Sequence, residues 1–261
     1  MFSFPVYLES LGVVAAAASV TWLVSLYKHD VSIVDSLWPI LFILLGLCSA
    51  LAAQVDSPRS ILVLSLLLAW GLRLSIYITW RNFGHGEDRR YQAIRARNQP
   101  NFAFKSLYLI FCLQALLAWV ISLPVHGAIL SDAPMGVFDV LGTALWALGF
   151  IFEAGGDWQL ARFKSNPANR GKVMDRGFWR LTRHPNYFGD FCVWWGFYVI
   201  AVGCGAWWSF AGPLLMSLLL MRVSGVTLLE KDIGERRPQY ADYVRRTNAF
   251  FPGLPKNNRS V

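Results

Sequence analysis

Charge is scarce in this chain. Asp, Glu, Lys and Arg make up only 15% of its 261 residues, and 55% are hydrophobic, where soluble domains carry about 25% charged residues. The shortage is spread over the whole length and the mean hydropathy is +0.41. Together these argue against a soluble protein with a large core and for a polytopic membrane protein. Cysteine and histidine are also sparse, with four of each. Cys48, Cys112, Cys192 and Cys204 all lie inside apolar runs and form no CxxC or Cys/His set. They read as small core residues, and no metal site is expected. No GxGxxG follows a strand pattern, which excludes a Rossmann-type nucleotide site. The first apolar run lacks a basic n-region and a small-residue cleavage site, so no cleavable signal peptide is expected. There is no internal repeat, and low complexity is limited to the alanine run at 15–18.

What is abundant is apolar sequence in blocks. Seven stretches approach the roughly 20 residues that a membrane-crossing helix needs: residues 5–27, 33–53, 61–80, 107–125, 137–158, 187–202 and 207–229. The expected fold is therefore an all-α, polytopic membrane helix bundle of about seven transmembrane helices. The chain reads as one integral-membrane domain, 1–261, with substrate-side helices in 1–130 and a ligand-holding half in 131–261. Basic residues cluster after the third stretch (Arg81, Arg89, Arg90, Arg95, Arg97, Lys105), after the fifth (Arg162, Lys164, Arg170, Lys172, Arg176, Arg180, Arg183) and in the tail (Lys231, Arg236, Arg237, Arg245, Arg246, Lys256, Arg259). With seven crossings these three segments share one side, and the opposite connections carry only Arg59. The positive-inside rule then puts the N-terminus outside and the C-terminus in the cytoplasm. The net charge of +8 fits topology and attraction to anionic lipid, and no separate basic domain points to nucleic acid.

A charge near the bilayer centre costs several kcal/mol, so each one needs a partner, water or a function. Asp35, Arg73, Glu153, Asp157, Arg222 and Glu230 fall within or at the ends of the apolar stretches. Glu153 and Asp157 are spaced i,i+4 and share a helix face. Two readings stand for this set. One is a series of interhelical ion pairs, such as Arg222 with Glu153. The other is a polar cavity opening to the cytoplasm. Gly155 and Gly156, just before Asp157, fit close approach of a ligand or simple helix packing equally well.

The densest chemistry is LTRHPNYFGDF at 181–191, which sets Arg183, His184, Asn186, Tyr187 and Asp190 between a basic loop and a Trp-rich apolar run. Guanidinium, imidazole, amide and carboxylate groups at a membrane boundary suit a large anionic ligand better than packing. With GGDWQLARFK, DRGFWRLTRHPNYFGD and EKDIGERRPQYADYVRRTNAFFP, the C-terminal half resembles a membrane superfamily. Its members include steroid 5-alpha-reductases, sterol C14-reductases and isoprenylcysteine carboxyl methyltransferases. DSLWP, AWGLRLSIYITWR and GEDRRYQ in the N-terminal half resemble its bacterial domain-of-unknown-function branch, DUF1295-like. The resemblance implies a bacterial inner (plasma) membrane location with the cofactor site facing the cytoplasm. Asn186 in the variable position and Asp190 after Gly189 favour the reductases over the methyltransferases. The implied cofactor is NADPH, held by Glu153, Asp157, Lys164, Arg176, Arg183, His184, Asn186, Tyr187 and Asp190, with Arg222 and Glu230 from the last span.

The implied activity is NADPH-dependent reduction of a C=C bond conjugated to a carbonyl in a hydrophobic, steroid-like or isoprenoid substrate. The phosphates of NADPH call for arginine and lysine, and its ribose and carboxamide for Asn, Asp and Glu. The alternatives are an S-adenosylmethionine-dependent methyltransferase and a non-catalytic lipid-binding protein. Reduction needs a donor where enolate charge develops. By resemblance Asp35, held protonated, and Tyr77 are the expected catalytic donors. An N-cap role for Asp35 and a packing role for Tyr77 are the plainer readings.

Overall fold

The computed structural model describes residues 3–53, 57–223 and 240–256. Among them every regular element is helical, and the one β-type contact is an isolated bridge between Thr182 and Asn248. Among the described residues, five helices are long and apolar enough to cross a membrane by length and composition: Phe4–Lys28, Val31–Ala52, Pro58–Asn82, Phe102–Ile121 and Val137–Ser165. The expectation of about seven meets two shorter pieces at its end. The sixth stretch lies within Pro185–Gly203, which is helical. The seventh begins as a 3-10 turn, Trp207–Phe210, followed by Ala211–Leu218 and a π-type segment, Leu219–Val223. Its remainder lies outside the described residues.

The chain divides into two compact units. The first holds Met1–Gly136 and Ala201–Gly212, and the second Val137–Ile200 and Pro213–Val261. The first unit contains α1 (Phe4–Lys28), α2 (Val34–Ala53), α3 (Pro58–Asn82), α4 (Arg89–Arg97), α5 (Phe102–Ser106), α6 (Leu113–Ile121) and α7 (Leu123–Ile129). α2 is the central helix, packed on both α3 and α1. Phe42 and Trp70 meet edge to face at 5.6 Å between α2 and α3, and neither is exposed. α3 starts where Pro58 follows Ser57, whose side chain accepts from Ser60 N; this is the expected start signal of a cap followed by proline. A π-type segment, Leu107–Cys112, joins α5 to α6. Arg59, in the first turn of α3, is 1% exposed and donates to the carbonyls of Ala133 and Pro134 at 2.6 and 2.8 Å.

The second unit contains α8 (Val137–Ser165), α9 (Phe178–Leu181), α10 (Pro185–Gly203), α11 (Ala211–Leu218, shared across the boundary) and α12 (Tyr240–Arg246). α8 runs unbroken through Gly155 and Gly156. Three of its glycines recur every seven residues, at 142, 149 and 156, and those of α10 stand at 189, 196 and 203. A side chain on Gly142 would strike the Gly196 carbonyl at 2.6 Å, and one on Gly149 the Gly189 carbonyl at 2.5 Å. α8 and α10 therefore run antiparallel with backbones in contact, a seam that only the smallest residue permits.

Candidate functional site

The seam decides what the polar residues of the second unit can meet. One heptad on from Gly149, a side chain on Gly156 would lie 3.1 Å from Pro185 Cγ and 3.4 Å from Asn186 N. Pro185 occupies the first position of α10, where its missing N–H costs nothing. The first turn of α10 is thereby set against the acidic face of α8. Asn186 Nδ2 donates to Asp157 Oδ1 at 3.3 Å. Asp157 is 5% exposed and Glu153, one turn earlier, 3% exposed. Gly189 packs on the backbone of Glu153. The His184 ring stacks on Tyr187 with centroids 5.6 Å apart, and Asp190 is half-buried on the next turn.

α9 rests on the same glycine step. The Phe178 ring occupies the space a Gly155 side chain would need, at 2.5 Å. Trp179 Nε1 donates to the Gly156 carbonyl at 3.0 Å, and Gln159 Oε1 accepts from Phe178 N at 3.0 Å. The tail closes over this segment. Arg183 N donates to the Asn248 carbonyl at 2.9 Å, Thr182 Oγ1 to that of Phe250 at 2.8 Å, and Gly253 N to that of Leu181 at 3.0 Å. Tyr243 is 2% exposed, and its hydroxyl donates to the Trp179 carbonyl. Burial pushes the Tyr243 phenol well above its ordinary value, so it stays a donor.

The residues expected to hold a cofactor thus divide. Glu153, Asp157, His184, Asn186, Tyr187 and Asp190 come together where α8 meets the start of α10. Lys164 and Arg176 are exposed at the end of α8 and in the loop after it, and Arg222 is exposed. Arg183 has a structural use as well. It is 8% exposed, and its Nη1 donates to the Val244 and Thr247 carbonyls at 3.2 and 2.7 Å. A guanidinium on the last carbonyls of α12 satisfies a helix end and its dipole, so Arg183 fastens the tail. Glu230 lies outside the described residues. Gln159 and Trp179 are not legible as site residues in the sequence, although both stand inside the quoted motifs, next to the glycine pair and the Phe they lock together.

The first unit holds a separate polar cluster. Asp35 Oδ2 accepts from Arg90 Nη2 at 2.8 Å, and Asp35 Oδ1 accepts from the Tyr91 hydroxyl at 2.6 Å. Asp35 is therefore an acceptor, and the donor role expected of it is corrected by two strong donors already aimed at its oxygens. Tyr77 is not among its partners. That tyrosine is half-buried on α3, 6.1 Å from the Trp80 ring, with Arg81 over its face at 5.8 Å. Burial opposes the charge on Arg90, but Asp35 and Asp88 outweigh it and raise its pKa above the usual arginine value. Tyr91 is raised by burial and then by the neighbouring Asp35.

A second ion pair anchors α4. Arg95 Nε and Nη2 donate to the two Glu87 oxygens at 2.8 and 2.7 Å, and Val31 N donates to Glu87 Oε1 at 3.0 Å. Burial pushes the Glu87 carboxyl up, but these donors outweigh it and hold it below the usual range. The basic loop after α3 thus spends Arg90 and Arg95 on the protein itself.

Comparison with known proteins decides the family. The sequence model described as "Protein of unknown function (DUF1295)" matches residues 21–247. The chain belongs to the DUF1295 family. This DUF1295 protein is similar to an uncharacterized protein of Schizosaccharomyces pombe, 26% identical over 268 residues that cover 90% of this chain and 76% of the relative. It is also similar to a Delta(14)-sterol reductase of Ascobolus immersus, 30% identical over 136 residues, 47% of this chain and 27% of that protein. No solved structure matches. The DUF1295 chain thus sits in a membrane-helical family with a sterol reductase among its relatives.

Proposed function

We propose that this protein is an NADPH-dependent membrane reductase that saturates a C=C bond conjugated to a carbonyl in a hydrophobic, steroid-like or isoprenoid substrate. The similarity to a Delta(14)-sterol reductase carries the proposal. The donor set of the second unit fits the cofactor. Glu153 and Asp157 are buried acceptors suited to ribose hydroxyls and a carboxamide N–H, and Asn186 offers both donor and acceptor. Lys164, Arg176 and Arg222 are exposed cations suited to the pyrophosphate and the 2′-phosphate. His184, Tyr187 and Asp190 complete the first turns of α10, and Glu230 belongs to the same set. Bound there, NADPH supplies the hydride. Arg183 acts through position, by tying the tail to the segment that carries His184 and Asn186.

In the first unit Tyr77 donates to the substrate carbonyl as charge develops on it, and Asp35 orients Tyr91. In the proposed topology α10 and the stretch 207–229 complete seven crossings, with the N-terminus outside and the cofactor site on the cytoplasmic side of a plasma membrane. The sorted basic loops support this. The fission-yeast relative speaks against restricting the family to bacteria.

The decisive measurement is an equilibrium titration of the purified protein with NADPH, NADH and S-adenosylmethionine. NADPH is expected to bind more tightly than NADH. Asp157→Ala and Asn186→Ala are each expected to weaken it at least about tenfold, the scale of one lost hydrogen bond to a buried partner. Binding of S-adenosylmethionine without NADPH would replace the reductase by a methyltransferase. Binding of neither, with stability set by lipid alone, would leave a lipid-binding protein.

A further inference from the structure

The polar cluster of the first unit has a free end. Tyr91 has one hydroxyl proton, and at 2.6 Å that proton is given to Asp35 Oδ1. Whatever meets the other side of the Tyr91 oxygen must therefore be a donor. Gln114 fills that place at 3.4 Å through Nε2. The network thus fixes which way the Gln114 amide faces, since the flipped amide would set two acceptors against each other. The opposite atom, Gln114 Oε1, is then an acceptor by necessity. It is enclosed from solvent and has no hydrogen-bond partner among the described residues.

Two further observations set Gln114 apart from an ordinary packing residue. The π-type segment Leu107–Cys112 ends directly before α6. Such an insertion turns the residues that follow around the helix axis, and it recurs at functional sites. Gln114 is itself half-buried and lies about 100° around α6 from Leu113, which is 46% exposed, so it sits at the edge of a face that lipid would cover. A hydrophobic molecule in the bilayer meets the edge of that face, and it reaches the enclosed Oε1 only by displacing the atoms that cover it.

We propose that Gln114 Oε1 is the receptor for a hydroxyl group on a hydrophobic ligand. A carbonyl oxygen presented to it would set acceptor against acceptor. A hydroxyl would complete a chain running from the ligand through Gln114, Tyr91 and Asp35 to Arg90. That the ligand is the substrate rests on the reductase reading above, and it narrows the substrate class to hydroxyl-bearing lipids. The hydroxyl preference itself stands without that reading.

The test uses the full-length protein in lipid nanodiscs and two probe pairs that differ only in the polar group. One pair is cholestanol and cholestanone, the other farnesol and farnesal. In at least one pair the alcohol is expected to bind about tenfold or more tighter than the carbonyl form, because the wrong partner leaves a buried polar atom unpaired. Gln114→Met keeps the volume, removes the acceptor and should bring the two members within about threefold. Tyr91→Phe is the second variant. It removes the hydroxyl that fixes the amide, which then turns to suit either ligand, and the preference should collapse in the same way. Equal binding of alcohol and carbonyl in both pairs by the unaltered protein would overturn the proposal. So would a preference that survives in Gln114→Met. NADPH affinity, read on the same samples, should not move in Gln114→Met. A protein that discriminates alcohols but binds no NADPH keeps the hydroxyl site and loses the reductase.

Discussion

The two units build their polar sites by opposite means. In the second, backbone comes first. Glycines at 142, 149 and 156 on α8 and at 189 and 196 on α10 let two helices touch, and the acids and the amide meet because the helices do. In the first, side chains come first. Asp35 lies on α2, Arg90 and Tyr91 on α4, Gln114 on α6, and long side chains bridge the gaps. A site made by backbone contact tolerates no added volume, whereas a site made by side-chain reach tolerates volume but not loss of a partner. The two units should therefore fail under different substitutions.

The largest effect belongs to the seam. Gly149→Leu would drive a side chain into the Gly189 carbonyl and Val193 N, both within 2.7 Å of where its Cβ must go. Helix backbones cannot yield as a rotamer can, so a loss of about 3 kcal/mol or more is expected. Thermal unfolding in detergent should fall steeply, with NADPH binding lost alongside. The matched control in the first unit is Gly12→Leu, where nothing lies within 4 Å of the added Cβ. Equal melting temperatures for the two variants would show that the glycine seam does not hold the second unit together. Arg183→Ala comes next. It strips the Val244 and Thr247 carbonyls of a buried donor, at a cost of about 1–3 kcal/mol. Proteolysis of the 240–256 tail should accelerate. NADPH affinity should fall less than in Asp157→Ala, because Arg183 positions the site and does not bind. A loss as large as that of Asp157→Ala would return Arg183 to the cofactor.

The same contrast explains what the sequence makes legible. The second-unit site lies in two continuous motifs, and GGDWQ and RHPNYFGD can be read as blocks. Their i,i+4 acids and the proline before Asn186 already foretell a helix face meeting a helix start. The glycine spacing that aligns them is also in the sequence, but small residues carry no chemistry and are easily taken as filler. The structural use of Arg183 is hidden because a guanidinium suits a phosphate and a helix C-terminus alike, and Thr247 lies 64 positions along the chain. In the first unit no local signal joins Asp35 to Tyr91, which is 56 residues away. The helix pattern places each on its own element, but only tertiary packing brings α4 back to α2. Tyr77 is legible as a position within a span, whereas the return of Tyr91 to Asp35 depends on a loop and is not.

Two smaller effects sharpen the first unit. Asp35→Asn removes the charge opposite Arg90 while keeping an oxygen for Tyr91. Arg90 has a side chain 36% exposed against 16% for Asp35, so solvent screens part of the loss and about 1 kcal/mol is expected. Asp35→Ala should cost more than Asp35→Asn, because Tyr91 then loses its acceptor as well. If the two substitutions cost the same, the Tyr91 hydrogen bond contributes nothing and only the ion pair matters.

The smallest effect is a pH dependence at α4. Glu87 and Asp88 are both held below the usual carboxylate range by Arg95 and Arg90 respectively, against the opposing push of burial. A carboxyl whose folded-state pKa is lowered adds stability above its unfolded value, near 4, and that stability is lost as pH falls through the folded value. The anchoring of α4 should therefore be constant from neutrality down to about pH 5 and weaken below about pH 4. Amide hydrogen exchange across Arg89–Arg97 reads it directly, corrected for the intrinsic pH dependence of exchange. Glu87→Gln should raise exchange already at neutral pH and flatten the acid response, leaving the smaller share of Asp88. The α8–α10 seam, held by backbone contact, should keep its protection over the same range. If α4 keeps its protection down to pH 3 in the unaltered protein, packing of Tyr91 and Phe102 holds the helix and the carboxylates merely accompany it.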